Sequence, residues 1–421
     1  MPSSLALVER LMRRYAGEEP FVVILPGGRV VELNGARRAT APIVLTVRDW
    51  RTVAALVRDA PLTLGEAWTD GRIALERGTL SDFVAMIGRR LAGRPRAHPL
   101  TAGATRLWRD ATRHANARAA ARRNVAHHYD LSLDLYRRFL DEDLQYSCAY
   151  FARPDATLEE AQAAKKALIA AKLRLEPGLK VLDIGCGWGG LGLTLAGEHG
   201  VEVEGITLSK EQLAVARERA VASGLAERAR FSLTDYRDVA GPFDRVVSVG
   251  MFEHVGRLNY QAYFDGVARL TTDDGVAVIH SIGRGDAPRP PQPWIDRYVF
   301  PGGYIPALSE VLPYVERAGL IVTDVEIWRL HYAETLRHWR ERFEARRGEI
   351  VKLYDERFCR MWEFYMVVSE AAFRFNNHMV FQLQLAKRVD AVPQTRAYLA
   401  DTLKALETAP GRAPLRSVDA A

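Results

Sequence analysis

Cysteine is scarce in this chain: three residues, Cys148, Cys186 and Cys359, among 421. They lie far apart and show no metal-ligand spacing, so neither a disulfide framework nor a metal centre is expected, and a reducing cytoplasm is the natural setting. Long apolar runs are missing too. No stretch reaches the ~20 residues that cross a bilayer. The opening MPSSLALVERLMRRYAGEEP puts its arginines after a very short apolar stretch, which lacks the order and length of a signal peptide. The expectation is a cytoplasmic protein with no transmembrane segment, one that meets a membrane only from its inner face. Repeats are absent. With 48% hydrophobic and 26% charged residues, wholesale disorder is excluded, and the length favours two to three domains.

The net charge of +6 hides an asymmetry. Ten arginines stand between Arg89 and Arg123 against one acid, Asp110, so that segment carries +9 and the rest of the chain −3. Gly93, Pro95, Pro99 and Gly103 mark a hinge at 91–104, followed by the alanine- and arginine-rich ATRHANARAAARRN, which reads as a basic helix. A charge run is ordinarily a solvated face. The alternative is a cationic surface for lipid headgroups or nucleic acid, each Lys or Arg near an anionic leaflet contributing about 1 kcal/mol.

Residues 1–90 read as a small α+β accessory domain. FVVILPGGRVVEL and APIVLTV are strand-like around a Pro26-Gly27-Gly28 turn, with helices expected at 48–58 and 79–90. The segment 91–123 is the basic linker and helix, 124–395 the main domain, and 396–421 a tail. From about residue 165 short apolar strands (KVLDIGCG, VEVEGITLS, ARFSLTD, FDRVVSVG, GVAVIHSIG) alternate with helices (LGLTLAGEHG, EQLAVARERAVASG, NYQAYFDGVARL). That alternation predicts an α/β fold with a doubly wound, mostly parallel sheet. Beyond Leu330 the chain reads as mostly helical and aromatic, through RMWEFYMVVSEAAFRFNNHMVFQLQLAK.

The most informative motif is Asp183-Ile184-Gly185-Cys186-Gly187-Trp188-Gly189-Gly190, at the end of the first of those strands. Glycines there let a ligand approach the backbone at the carboxyl edge of the sheet. A dinucleotide enzyme can show a similar turn, but the form is GxGxGG rather than GxGxxG, and an acid precedes it directly. In S-adenosylmethionine (SAM) methyltransferases that acid stands near the amino-acid end of the cofactor. Thr207-Leu208-Ser209 ends the second strand without the ribose-binding acid of nicotinamide enzymes, and Asp235-Tyr236-Arg237-Asp238 ends the third.

Together with HHYDLSLDLYRRFLDEDLQYSCAYF, FDRVVSVGMFEHVG, IHSIG and WIDRYVFPGGYIP in this order, these motifs resemble the cyclopropane-fatty-acyl-phospholipid synthases and the related mycolic acid cyclopropane synthases, over roughly 122–390. The resemblance implies a Rossmann-like SAM-dependent methyltransferase domain, SAM as methyl donor, and unsaturated phospholipids at the membrane surface as acceptors. It further implies a lipid-engaging N-terminal domain and a homodimer. Family positions matching Tyr146, Ser147, Asp183, Gly185, Gly187, Trp188, Gly189, Thr207, Leu208, Gln212, Asp235, Tyr236 and Arg237 line the cofactor site. Those matching Cys148 and Ile282 hold a bicarbonate ion through backbone groups, and those matching Glu253, His280 and Tyr332 through side chains. In such enzymes the alkene attacks the SAM methyl, and the resulting carbocation loses a proton to the bound bicarbonate as the ring closes.

Elementary chemistry fits this. A sulfonium leaves as a neutral thioether, so methyl transfer needs alignment more than acid catalysis. The cation that forms needs stabilising charge and exclusion of water. Each residue also has a plainer reading. Buried Cys148 is ordinarily inert packing, His280 a satisfied core histidine, Glu253 a helix-start acid ahead of the less involved His254, and Tyr332 a core aromatic. The aromatics Phe358, Trp362, Phe364, Tyr365, Phe373, Phe375 and Phe381 are ordinarily core; part of them can instead wall an acyl channel, where each buried CH₂ is worth about 0.8 kcal/mol. Three rivals stand beside cyclopropanation: a methylene- or methyl-branched fatty acid synthase on the same fold, a nucleic-acid methyltransferase gripping through the basic segment, and a non-catalytic lipid-binding protein. The first diverts the cation. The second lacks a motif for acting on a base, and the third is disfavoured by the intact glycine loop, so no nucleic-acid partner is expected.

Overall fold

The structure, a computed structural model, describes residues 18–36, 42–92 and 131–408. The basic helix expected after residue 104 lies outside them. The chain forms two compact units, one built from residues 1–99, 291–301 and 336–378 and the other from 100–290, 302–335 and 379–421. Among the described residues no helix is long and apolar enough to cross a membrane.

In the first unit β1 (Phe21–Leu25) and β2 (Arg29–Leu33) form a hairpin over the Pro26-Gly27-Gly28 turn, and β3 (Ile43–Val47) runs parallel to β1. Helix α1 (Trp50–Arg58) starts where Asp49 accepts the Thr52 amide at 2.8 Å, which satisfies one of the unpaired donors of a helix start. After α2 (Ala60–Thr69), β4 (Ile73–Arg77) completes a sheet of order β2-β1-β3-β4. A Thr79/Asp82 capping box opens α3 (Leu80–Leu91). The aromatic helix Glu356–Phe375 also belongs to this unit and packs on α2 and α3. Trp362, Phe364 and Phe373 are thus core residues here.

In the second unit a short helix, Leu133–Arg137, precedes α4 (Leu158–Leu173), after which come β5 (Lys180–Ile184), α5 (Gly190–His199), β6 (Glu202–Thr207), α6 (Lys210–Ala222), β7 (Ala229–Leu233) and β8 (Phe243–Val249). Helix α7 (Tyr260–Leu270), β9 (Thr271–Arg284), β10 (Ile321–Trp328) and β11 (His378–Ala386) follow. The sheet order is β10-β11-β9-β8-β5-β6-β7, with β7, β6, β5, β8 and β9 mutually parallel and β10 antiparallel to β11. The chain builds outward from β5 through β6 to β7, then returns to the other side of β5 as β8. The boundary between β5 and β8 is therefore the topological switch point, where ligands enter open α/β sheets. This is the Rossmann-like, doubly wound arrangement the alternation predicts. Buried residues at Val181, Leu182, Asp183 and Ile184 match a strand covered on both faces.

One expectation needs correction. The stretch 360–387 is not helical throughout. Its helix stops at Phe375; Asn377 adopts φ 56°, and the chain turns back as β11. Asparagine tolerates the left-handed region that ends helices, and the apolar run behind it is buried on both faces of a central strand. Strands β4 and β10 carry no sequence reading at all; both are amphipathic edge strands with polar residues on one side.

Candidate active site

A cleft opens at the carboxyl ends of β5, β6, β7 and β8. Its lining includes Tyr146, Ser147, Asp183, Gly185, Gly187, Trp188, Thr207, Leu208, Gln212, Asp235, Tyr236 and Arg237. Of the positions matching a cofactor site only Gly189 is outside the lining; it stands at the N-cap of α5 against Phe231 and Ala216.

The glycine loop is fastened from below. The amides of Gly185 and Cys186 both donate to the Ile206 carbonyl, at 2.9 and 3.0 Å, which ties the loop to β6. Gly185 adopts φ +85°, and a Cβ there would lie 2.9 Å from Met251 Cβ, so only glycine fits. Gly187, at φ +57°, faces open space where its Cβ would be. The start of α5 thus presents backbone amides and the positive end of a helix dipole at the cleft.

Beside it, Thr207 Oγ1 accepts the Ser209 amide at 3.1 Å and donates to Gln212 Oε1 at 3.0 Å, leaving the Gln212 NH₂ for a ligand. Asp235 is clamped by Arg237 through Nε at 2.8 Å and Nη2 at 2.6 Å, and the guanidinium lies 5.5 Å from the Tyr236 ring centroid. Burial pushes the Tyr236 phenol up to about 12, so it stays protonated. Asp183 is the unsatisfied group: Oδ2 is buried without a hydrogen-bond partner, and desolvation pushes the carboxyl up to about 7 against the pull of Lys165. A buried acceptor without a donor costs free energy until something supplies one.

The positions matching the anion site lie outside that lining. Glu253 sits in the 3₁₀ turn Phe252–His254 after β8 and receives the Ile282 amide on Oε1 at 2.6 Å. Its Oε2 is buried without a partner, and desolvation lifts the carboxyl to about 7 despite the Ile282 amide. His280 is buried on β9, and desolvation, with Lys165 and Lys172 nearby, keeps its imidazole neutral. Cys148 is buried with its thiol on the Ala149 carbonyl at 3.3 Å, and desolvation pushes it far up, so it is no thiolate nucleophile. Tyr332 opens the helix His331–Ala345, whose Thr335 hydroxyl receives the Ala149 amide at 3.0 Å. That bond couples the Tyr332 turn to the Cys148 segment. His254, expected to be the lesser neighbour of Glu253, does line the cleft, and burial lowers it to about 4.

Sequence reasoning missed the polar spine of α4. Lys165 is fully buried and donates to Gln145 Oε1 at 2.7 Å and Ser147 Oγ at 2.8 Å. Gln162 donates to the carbonyls of Gln145 and Ser147 at 3.1 and 3.0 Å. The Lys165 charge acts on Cys148, Asp183 and His280 alike, so one ammonium links the two clusters. The signal was present: Gln162, Lys165, Ile169 and Lys172 recur at helical spacing on a buried face.

Comparison with known proteins agrees with this geometry. Residues 116–383 match the model of the mycolic acid cyclopropane synthetase family. The chain is 36% identical to the cyclopropane-fatty-acyl-phospholipid synthase of Escherichia coli over 367 residues, 86% of this chain and 91% of that protein. It is also 36% identical to the tuberculostearic acid methyltransferase of Mycobacterium tuberculosis over 411 residues, 91% and 92% of the two chains. A solved mycolic acid cyclopropane synthase complexed with SAH and CTAB superposes with a TM-score of 0.60 at 35% identity, covering 63% of this chain and 97% of that one. With its doubly wound sheet, its glycine-loop cleft at the switch point and these relatives, the chain belongs to the mycolic acid cyclopropane synthetase family and is a SAM-dependent methyltransferase.

Proposed function

We propose that this enzyme transfers a methylene group from SAM to the cis double bond of an unsaturated phospholipid acyl chain, leaving a cyclopropane ring. The observation that carries the proposal is the buried Glu253 carboxyl, which takes the Ile282 amide on Oε1 and leaves Oε2 without a hydrogen-bond partner, with the buried, neutral His280 two residues from Ile282 on the same strand. These groups suit a small oxyanion. A carboxyl lifted to about 7 can carry a proton to donate, and a neutral imidazole offers an N–H. The residues that would hold bicarbonate are therefore Glu253, His280, Tyr332 and the backbone of Cys148 and Ile282. When bound, bicarbonate supplies the base that removes a proton as the ring closes.

The chain's own residues do the rest. Asp183, Gln212 and Asp235 with Arg237 supply polar anchors for SAM, and Gly185 and Gly187 admit it to close backbone contact. Fixing donor and acceptor in line is worth several kcal/mol of barrier. The aromatics Tyr146, Trp188 and Tyr236 exclude water and present π faces to developing positive charge. In this reading residues 1–90 are an accessory domain that engages lipid, and the arginines between Arg89 and Arg123 attract anionic headgroups from the cytoplasmic face, the enzyme acting as a peripherally bound homodimer. Arg89 itself forms a bidentate pair with Glu19, at 2.9 and 2.8 Å.

A second reading is a methyl- or methylene-branched fatty acid synthase. The near full-length match to a tuberculostearic acid methyltransferase favours it. The five-residue anion set suits ring closure and methylene formation alike, since each removes one proton from the transferred methyl carbon, whereas a saturated methyl branch further needs a hydride donor. Purified enzyme, SAM and monounsaturated phospholipid vesicles, with product fatty acids read by mass spectrometry and proton NMR, separate the two. Flotation with anionic and neutral vesicles at two salt concentrations tests the headgroup attraction; binding indifferent to both variables rejects it.

A further inference from the structure

The His280 ring has a fixed partner that lies in none of the motifs. Gln382, on β11, is buried, and its Nε2 stands 2.9 Å from His280 Nδ1. An amide can be turned either way at this contact, so the direction of the bond needs an independent anchor. Lys172 provides it. The Lys172 ammonium, from α4, bonds Gln382 Oε1 and pairs with the Glu326 carboxylate on β10. Glu326 and Gln382 are register partners across β10 and β11, so the pair is set by the sheet itself. A lysine ammonium has three donors and no acceptor, so the Gln382 atom it touches must be the carbonyl oxygen. The NH₂ end then faces His280 and donates, and Nδ1 must accept.

Lys172 is itself held in place. Gln384, two residues along the same face of β11, donates to the Lys172 carbonyl at 2.6 Å, and its Oε1 receives Thr323 Oγ1 at 2.9 Å. The Trp328 ring stands edge-on to His280, with centroids 5.3 Å apart and an interplanar angle of 84°, and the Lys172 ammonium lies 5.9 Å from the same ring. Two glutamines in the middle of an apolar strand are thus both satisfied, and both serve one lysine.

We propose that Gln382, oriented by Lys172, is a positioning residue that locks His280 in the tautomer protonated at Nε2. His280 then enters the anion site as a hydrogen-bond donor and is barred from acting as the base through Nδ1. The assignment deepens the anion-site reading of His280, and its spectroscopic test does not depend on that reading. The charges facing the imidazole come from Lys165 and Lys172 on α4, with Glu326 on β10 pairing Lys172.

The test is nitrogen-15 NMR of the full-length enzyme carrying labelled histidine, with the His280 signals assigned by their loss in His280→Asn. The expected spectrum shows a protonated Nε2 and an unprotonated Nδ1 between pH 6 and 8. In Gln382→Glu the carboxylate accepts rather than donates, and the proton moves to Nδ1. In the similarly shaped Gln382→Met, which makes no hydrogen bond, the two tautomers mix. Turnover in Gln382→Glu falls about 10²-fold or more while SAM affinity stays unchanged. A wild-type proton on Nδ1, or a tautomer that Gln382→Glu and Gln382→Met leave unaltered, overturns the assignment. Because the tautomer is read without lipid, a branched product in the activity assay rejects cyclopropanation and leaves this result standing.

Discussion

Replacing Asp183 with Asn should make the ligand-free enzyme more stable at alkaline pH while weakening its hold on SAM. Asp183 is buried at the end of β5 with one oxygen unpartnered, and its pKa rises from 3.8 to about 7. Between those two values the native state keeps the proton and the unfolded chain has lost it. Stability therefore falls as pH rises through that window and is level above it. About three pH units at about 1.4 kcal/mol each amount to roughly 4 kcal/mol by pH 8. The Asn variant escapes this cost but buries an amide NH₂ with no partner, worth about 1–3 kcal/mol, so a net gain of about 1–3 kcal/mol remains. Urea unfolding of both proteins without SAM, at pH 5 and pH 8, measures the difference, and calorimetric titration with SAM measures the affinity. The gap between the proteins should move in favour of Asn from pH 5 to pH 8, with SAM affinity reduced at least tenfold. A variant that is less stable at pH 8 than at pH 5 relative to wild type, or that binds SAM unchanged, refutes this expectation.

Other perturbations follow from the same geometry. Glu253→Gln keeps an acceptor for the Ile282 amide but removes the exchangeable proton; turnover should drop about 10²–10⁴-fold with SAM affinity intact, because Glu253 is outside the cleft lining. In the wild type, turnover should decline as pH passes about 7, where Glu253 loses its proton, and steady-state rates from pH 6 to 9 will show whether that limb exists. Lys165→Met strips the donors from Gln145 Oε1 and Ser147 Oγ and should cost about 1–3 kcal/mol, read as a lowered urea midpoint. Gly185→Ala forces a Cβ toward Met251 at φ +85°; about 1–3 kcal/mol of strain and loss of SAM binding by calorimetry are expected.

Much of the fold is legible in the chain because its signals are local. The alternation of β5 to β9 with helices, and the glycines that end β5, need no knowledge of distant partners. Helix starts such as Thr79-Leu-Ser-Asp82 follow the same logic. What stays hidden depends on tertiary context. Gln382 and Gln384 read as a break in an apolar run until the lysine between their partners is seen, and β11 reads as an extension of a helix until Asn377 turns the chain. Lys165 and Lys172 lie in an alanine-rich helix whose burial on nearly every face has no sequence marker beyond polar residues recurring on one side. The Asp183 and Glu253 carboxylates were readable as positions. Their unpartnered oxygens became visible only once burial was known.

Ring closure is the outcome proposed for this site. One assay addresses it directly: purified enzyme with SAM carrying a labelled methyl group and vesicles of monounsaturated phospholipid, with and without added bicarbonate, followed by proton NMR of the released fatty acids. Ring closure gives a product heavier by one methylene, 14 mass units before the label is counted, with cyclopropane proton signals, formed faster when bicarbonate is present. A product of that mass bearing only methylene signals, or one two mass units heavier bearing a saturated methyl branch, contradicts ring closure, as does cyclopropane formation that persists undiminished in the Glu253→Gln enzyme.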